Sequence, residues 1–218
     1  MNRIILILFC ILGLGKCIAQ TIDKSKLFPP FLETKAPEKK IQIQKTDSLI
    51  YENWEWGEYR KLIGNVQLKD SSAYMWCDSA ILDVTANYLT AYGKPLHLKN
   101  GDSIDIWGNF LEYFGDQKQA RLTGNAIMKD KKMVLTAPEI YYNTASDMGY
   151  YNIGGRMVKD ETILTSQIAY YYHKNGEAIF YNNVDLKTKE TTIVSDSMRY
   201  NIDNEIVYFI AKTKITNK

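Results

Sequence analysis

Cysteine is nearly absent where it would matter. Of the three in the chain, Cys10 and Cys17 lie in an apolar leader, which leaves Cys77 with no intrachain partner and excludes a disulfide framework. Histidine is almost as scarce. His97 and His173 stand far apart with no cysteine or carboxylate at metal-ligand spacing, so a metal centre is not expected and both read as surface or strand-end residues. A surplus of one charge is missing too. Without residues 1–19, Arg3 and Lys16 leave, and the 27 basic residues fall to 25, level with 25 acidic ones. A nucleic-acid partner is therefore not expected. No phosphate-binding glycine loop or nucleophile elbow appears, and no cofactor is expected. Asp78 and Asp196 could be imagined as a catalytic carboxylate pair. However, each is followed by serine at an equivalent point of a repeat, which suits a turn or ladder role. We expect no catalytic residues and no enzyme.

Met1-Asn2-Arg3 and the apolar run Ile4–Leu14, closed by Cys17-Ile18-Ala19, have the layout of a secretory signal peptide (residues 1–19), and the run is too short to span a membrane. Acylation of Cys17 is the alternative, disfavoured by Lys16 before it. A periplasmic address follows. Residues 20–40, with Pro29-Pro30, Pro37 and clustered Lys and Glu, read as a flexible lead-in.

From residue 41 to 218 one phrase recurs. In Ala120-Arg-Leu122-Thr-Gly124-Asn125-Ala126-Ile-Met128-Lys129-Asp130 the apolar residues share one parity, the period of a strand with one buried face. It returns at Gly64, Gly93, Gly155, Asn182 and Ala211, about every 30 residues, which is the spacing of stacked units that cannot bury an apolar face alone. Each unit continues with a polar turn, a second strand such as Ala73–Cys77, and an aromatic stretch such as Asn109–Phe114. Short strands between regular turn signals predict an all-β fold. A glycine once per unit, on the apolar side, predicts an antiparallel sheet bent at one level so that two halves face each other; the alternative is that it only eases packing of a closed core.

The inward apolar set is the functional candidate: Val66, Leu68, Leu89, Ala91, Ala120, Leu122, Ala126, Met128, Ala178, Phe180, Val184 and Leu186. It could line a cavity or form an ordinary core. Trp54, Trp56 and Tyr59 could be a docking surface or an end cap.

Gly64-Asn65-Val66, Gly124-Asn125-Ala126 and Asn183-Val184, with Asp78-Ser79 and Asp196-Ser197, resemble the OstA/LptA family of lipopolysaccharide-transport proteins over about residues 41–218. The pattern departs at Gly93-Lys94-Pro95 and in a shortened unit at 155–181. The resemblance implies an all-β antiparallel jellyroll, open-seamed and built from repeats of about 30 residues. It implies that the roll shelters the acyl chains of lipopolysaccharide (lipid A), with Val66, Leu68, Leu89, Ala120, Leu122, Ala126, Met128, Phe180, Val184 and Leu186 as lining. Such rolls join other OstA/LptA-like rolls, or copies of themselves, by strand pairing into a bridge towards the outer membrane, where association is a further implication. Ile41, Ile43, Thr213 and Ile215 mark the edges for that pairing. The last strand stops half-way through its unit, either as a docking edge or because the chain is the N-terminal part of a longer protein. A structural or adhesive β-roll without a lipid ligand is the alternative, and a glycan-binding roll using exposed Tyr and Trp is a third reading.

Overall fold

The structure is a computed structural model that describes residues 40–55 and 57–217, with Leu6–Ile7 (β1) and Gln20–Thr21 (β2), which pair only with each other. The rest of the expected signal peptide and lead-in, and Trp56, lie outside the described residues.

All remaining strands belong to one antiparallel sheet. In chain order they are β3 (Gln42–Lys45), β4 (Ser48–Trp54), β5 (Gly57–Asp70), β6 (Ala73–Asp83), β7 (Tyr88–Asn100), β8 (Ile104–Phe114), β9 (Gln119–Lys129) and β10 (Val134–Asn143). There follow β11 (Met148–Tyr151), β12 (Gly155–Lys159), β13 (Thr162–Ser166), β14 (Ile168–Tyr172), β15 (Glu177–Lys187), β16 (Thr191–Asn201), β17 (Ile206–Phe209) and β18 (Thr213–Asn217). The long strands pair with their sequence neighbours, and the short ones are halves of strands interrupted at mid-length. Thus β3 and β4 both pair with β5, and β17 and β18 both pair with β16.

The interruption falls at the same level in every strand, where the ladder registers shift: Gly64-Asn65 against Asp78, Gly124-Asn125 against Pro138, Asn182-Asn183 against Asp196. In each of these pairs two consecutive residues are left-handed, with φ of 79° and 46°, 88° and 58°, and 61° and 56°. Glycine and asparagine are the residues that tolerate this conformation, which is why the repeat carries Gly-Asn and why Asn-Asn can replace it. At Gly124 a β-carbon would lie 2.8 Å from the Cβ of Asn109, so the bend also brings strands too close for a side chain. Pro138 breaks no ladder bond because it sits opposite the bulge. Asp47 accepts from Asn65 Nδ2 at 2.7 Å and Asp78 from the Lys94 amide at 3.2 Å, so the repeated aspartates tie the bend.

Two expectations change. Gly124 and Asn125 are both exposed: the pair bulges outward and the inward set resumes at Ala126, so the glycine is not on the apolar face. The second strand and the aromatic stretch are separate elements only in the shortened unit, as β13 and β14; elsewhere they run together in β6, β8, β10 and β16. Asp78, Pro138 and Asp196 are bends inside β6, β10 and β16.

The bend divides the sheet into two arms. The first holds the turns near residues 71, 101, 131, 160 and 189, and the second those near 85, 116, 145, 174 and 203. Their inner faces pack together as one apolar cluster from Ile41 to Ile202. Where Met128 of the first arm meets Gly149 of the second, an added β-carbon would lie 2.9 Å from the methionine sulfur. Two strands around the shortened unit at 155–181 break into the four pieces β11–β14, β11 lying just before it, yet each piece keeps its partner and the jellyroll stays continuous.

Candidate functional site

The candidate lining residues all lie on the inner face. Val66, Leu68, Ala126, Met128, Val184 and Leu186 come from the first arm, and Leu89, Ala120, Leu122 and Phe180 from the second, none more than 2% exposed. In the first arm they form part of one line of cross-strand neighbours. It starts at Ile43, passes through Leu68, Met75, Leu98, Ile106, Met128, Leu135, Met157, Leu164 and Leu186, and ends at Ile193 and Ile215. No polar residue interrupts it. Such a line arises because side chains opposite each other in a ladder share a face, and the repeat keeps that face apolar in each strand.

The line is buried in the middle and opens at the ends. Met75, Leu98, Ile106 and Met128 have no exposure, whereas Ile43 is half-buried and Ile215 is 52% exposed. Leu49, Val207 and Phe209 are likewise only partly buried against the core. The four edge candidates therefore lie on strands with one partner each, or beside one. Ile41 is buried just before β3, Ile43 is on β3, and Thr213 and Ile215 are on β18. Ile50, Tyr51 and Trp54 expose 42%, 63% and 56% on the same N-terminal edge. Tyr59, on β5, is partly exposed and shares a shallow recess with Trp54.

The seam opposite the bend was not anticipated as a site. The resemblance implied an open seam; instead, polar side chains tie the tips of the arms together. Ile41 N–H donates to Asn87 Oδ1 at 3.1 Å, and Lys118 Nζ donates to Asp70 at 2.7 and 2.8 Å. Tyr113 also gives its hydroxyl to Asp70, at 2.8 Å. Asn100 Nδ2 donates to Asp147 at 2.6 Å, to the Thr144 carbonyl at 2.9 Å and to Tyr142 Oη at 3.0 Å. Asp130 accepts from the Tyr171 hydroxyl and lies 3.1 Å from His173 Nδ1, and Lys159 meets Glu205. Partners in these five ties are separated by 46, 48, 47, 43 and 46 residues, so each joins one unit to the sheet about one and a half units on.

Asp70, Asn100 and Asp130 each open the polar turn of a unit. The available signal was parity: 66, 68 and 70, like 126, 128 and 130, face inward, so the polar residue that ends each apolar alternation is also turned in. All three are buried, at 1%, 5% and 6% exposure, and buried polar groups need partners. Tyr113, Tyr142 and Tyr171 are among those partners, one to each, and with Tyr200 they form a tyrosine column, each 29 residues from the last and at most 2% exposed. Burial pushes the first three hydroxyls well above the ordinary tyrosine range, with a further upward push from Asp70, Asp147 and Asp130 respectively. Tyr200 is pushed up to about 12 by burial and then by Glu205 and Asp160.

A folded-state pKa above the unfolded value of about 10 gives stability that is complete below about pH 10 and lost as pH rises beyond it. We therefore expect the inner tyrosines to resist ionisation until the roll unfolds in alkali. Absorbance at 295 nm followed with the melting temperature checks this; four inner tyrosines ionising near pH 10 in a folded protein would show the seam to be wet.

Outside, aromatic side chains stack on each other. His97 lies between Trp76 and Trp107, 5.0 Å from each, and bonds Asp105 at 2.8 Å; Tyr141, Tyr150 and Tyr170 form a second stack. Their faces are covered by one another, which leaves little flat surface for a sugar ring. His173 belongs to the seam.

With a repeat-built roll, an apolar line and bent Gly-Asn strands in place, the comparison with known proteins is informative. The sequence profile of a family described as OstA-like protein matches residues 38–196. The chain belongs to the OstA-like family. No curated protein matches it. Among solved structures, it is similar to LptH of Pseudomonas aeruginosa, described as the LptA-homologous periplasmic component of a lipopolysaccharide transport device. That likeness has 19% identity and a TM-score of 0.45, covering 53% of this chain and 83% of that one. The family match to this OstA-like chain takes in the line from Ile43 to Ile193 and stops at the bend of β16.

Proposed function

We propose that this OstA-like chain is a periplasmic, non-enzymatic carrier of lipopolysaccharide. It shelters the acyl chains between its two arms and takes the strand of a neighbouring roll, related or identical, at β3–β4 and β17–β18. The supporting observation is the apolar line that crosses every strand position and reaches solvent at both edges. A closed core has no need of apolar side chains at its rims, whereas a conduit continued by the next roll does. Unpaired edges with apolar flanks are also templates for an added strand.

A second reading, a β-roll with no lipid ligand, is favoured by one fact: the line is fully packed in the middle units. One experiment separates the two. The protein is purified from a lipopolysaccharide-producing periplasm, examined by mass spectrometry for lipid A, and tested for binding to lipid A and to the deacylated core oligosaccharide. The carrier binds lipid A and ignores the oligosaccharide. Oligosaccharide binding alone marks a glycan module, and no binding of either marks a structural roll.

A further inference from the structure

From residue 20 on the chain balances its charges, yet its two outer faces do not share them evenly. Outward side chains fall into rows across the sheet because ladder partners share a face. On the first arm one such row holds Lys69, Lys99, Lys129 and Lys187. Each follows the last inward residue of its phrase, so the repeat that makes the core apolar also sets an amine outside. The first three stand two strands apart, about 10 Å. The row beside it, nearer the bend, holds Trp76, His97, Trp107 and Ile127, the last 40% exposed. Among the described residues the outward strand positions of this arm hold two acids, Asp105 and Asp185, and both are engaged. Asp105 meets His97 at 2.8 Å and Lys99 at 3.5 Å, and Asp185 meets Lys187 at 2.8 Å. The second arm is different. Glu52, Asp83, Glu112, Glu139 and Glu177 take its outward positions, and Arg121 is held between Glu112 and Glu139.

We propose that the outer face of the first arm, over β5–β9, is a membrane-contact face that seats the roll on a bilayer surface rich in anionic phospholipid. The two rows supply the two kinds of group that such a surface holds. Lysines near it are drawn to lipid phosphates, and their flexible stems let each amine find one without a fixed register. Tryptophan and tyrosine favour the head-group level, where an apolar body and a polar edge are both satisfied. The rows lie two residues apart along the strands, about 7 Å, so aromatic and amine meet the surface together. Lys69 already lies over the Tyr74 ring, 4.8 Å from its centre, which keeps this amine beside the aromatic groups. A line of amines set by a strand repeat suits a continuous field of phosphates better than the irregular charges of one folded partner. The acids of the second arm turn that arm away from the same surface, so the contact also orients the roll. This contact does not depend on what the interior carries.

The test is sedimentation of the protein, purified from the periplasm, with phosphatidylcholine vesicles prepared with and without phosphatidylglycerol. Two double variants remove the same charge from opposite arms: Lys69→Gln with Lys129→Gln, and Lys61→Gln with Lys174→Gln. Lys61, Lys129 and Lys174 are exposed and Lys69 is half-buried, so neither pair disturbs the core. We expect binding to the anionic vesicles alone, released by strong salt. The first-arm pair should weaken it at least tenfold and the second-arm pair less than twofold. Trp54→Phe with Trp56→Phe leaves Trp76 and Trp107 as the two remaining indoles, and phospholipid brominated near its head group should quench their emission. Equal binding to neutral and anionic vesicles, equal weakening by the two pairs, or unquenched indoles on bound protein would overturn the face. Binding to soluble polyphosphate but to no vesicle would overturn the membrane as its partner.

Discussion

Asp70→Ala destabilises the roll by about 3–5 kcal/mol, measured as a shift in the urea midpoint at constant slope. The carboxylate side chain has no exposure and its partner Lys118 only 6%, so removing the acid takes the Asp70 carboxylate away from a buried ammonium group. The Tyr113 hydroxyl loses its acceptor at the same time. A loss of this size is a large part of the roughly 5–15 kcal/mol that holds a typical domain together. Replacing both partners, as Asp70→Leu with Lys118→Met, should instead be neutral or stabilising by up to about 4 kcal/mol, because neither charge then has to be dehydrated. A single variant that costs less than about 1 kcal/mol would mean that water reaches the pair and the seam stands open at rest.

Leu122→Ala costs about 2–5 kcal/mol, the range for deleting a buried leucine side chain whose surroundings relax only in part. Leu122 lies directly between Leu111 and Ile140 on the neighbouring strands, and all three have no exposure. Ile127, five positions along the same strand, faces outward at 40% exposure. Its change to alanine should stay within about 0.5 kcal/mol. The pair of variants therefore measures packing on the two faces of β9. If the two losses were alike, the interior would be loose, and an amphiphile would find space without parting the arms. A large difference means that room for acyl chains has to be made.

Much of this architecture can be read from residue order. The alternation at 120–128 and its returns identify the inward face, and Gly-Asn identifies the bend, because two left-handed residues in a row are a strong local constraint. The edge residues follow from where the phrase first and last occurs. What residue order conceals is any relation across the seam. Asp70 and Lys118 lie in different units with nothing local to associate them, since their meeting depends on how far the twisted arms slip past each other. The break of the sheet at Tyr151–Gly155 and Ser166–Ile168 is visible only as a short unit. The strand halves merge at Asp78 and Pro138 because a polar residue or proline, normally a terminator, is accommodated opposite a bulge.

The fixed slip of the seam makes the roll a ruler. Each unit contributes two strand positions, and neighbouring strands are about 4.8 Å apart, so length comes in increments of about 10 Å. Inserting or deleting one whole unit keeps the spacing between partners elsewhere along the seam, and every tie finds an equivalent acid or amide. Half a unit would put first-arm residues on the second arm and misalign all the ties beyond it. Evolution can therefore adjust the span of such a protein by duplication alone, one increment at a time, without redesigning the surfaces that hold its arms together.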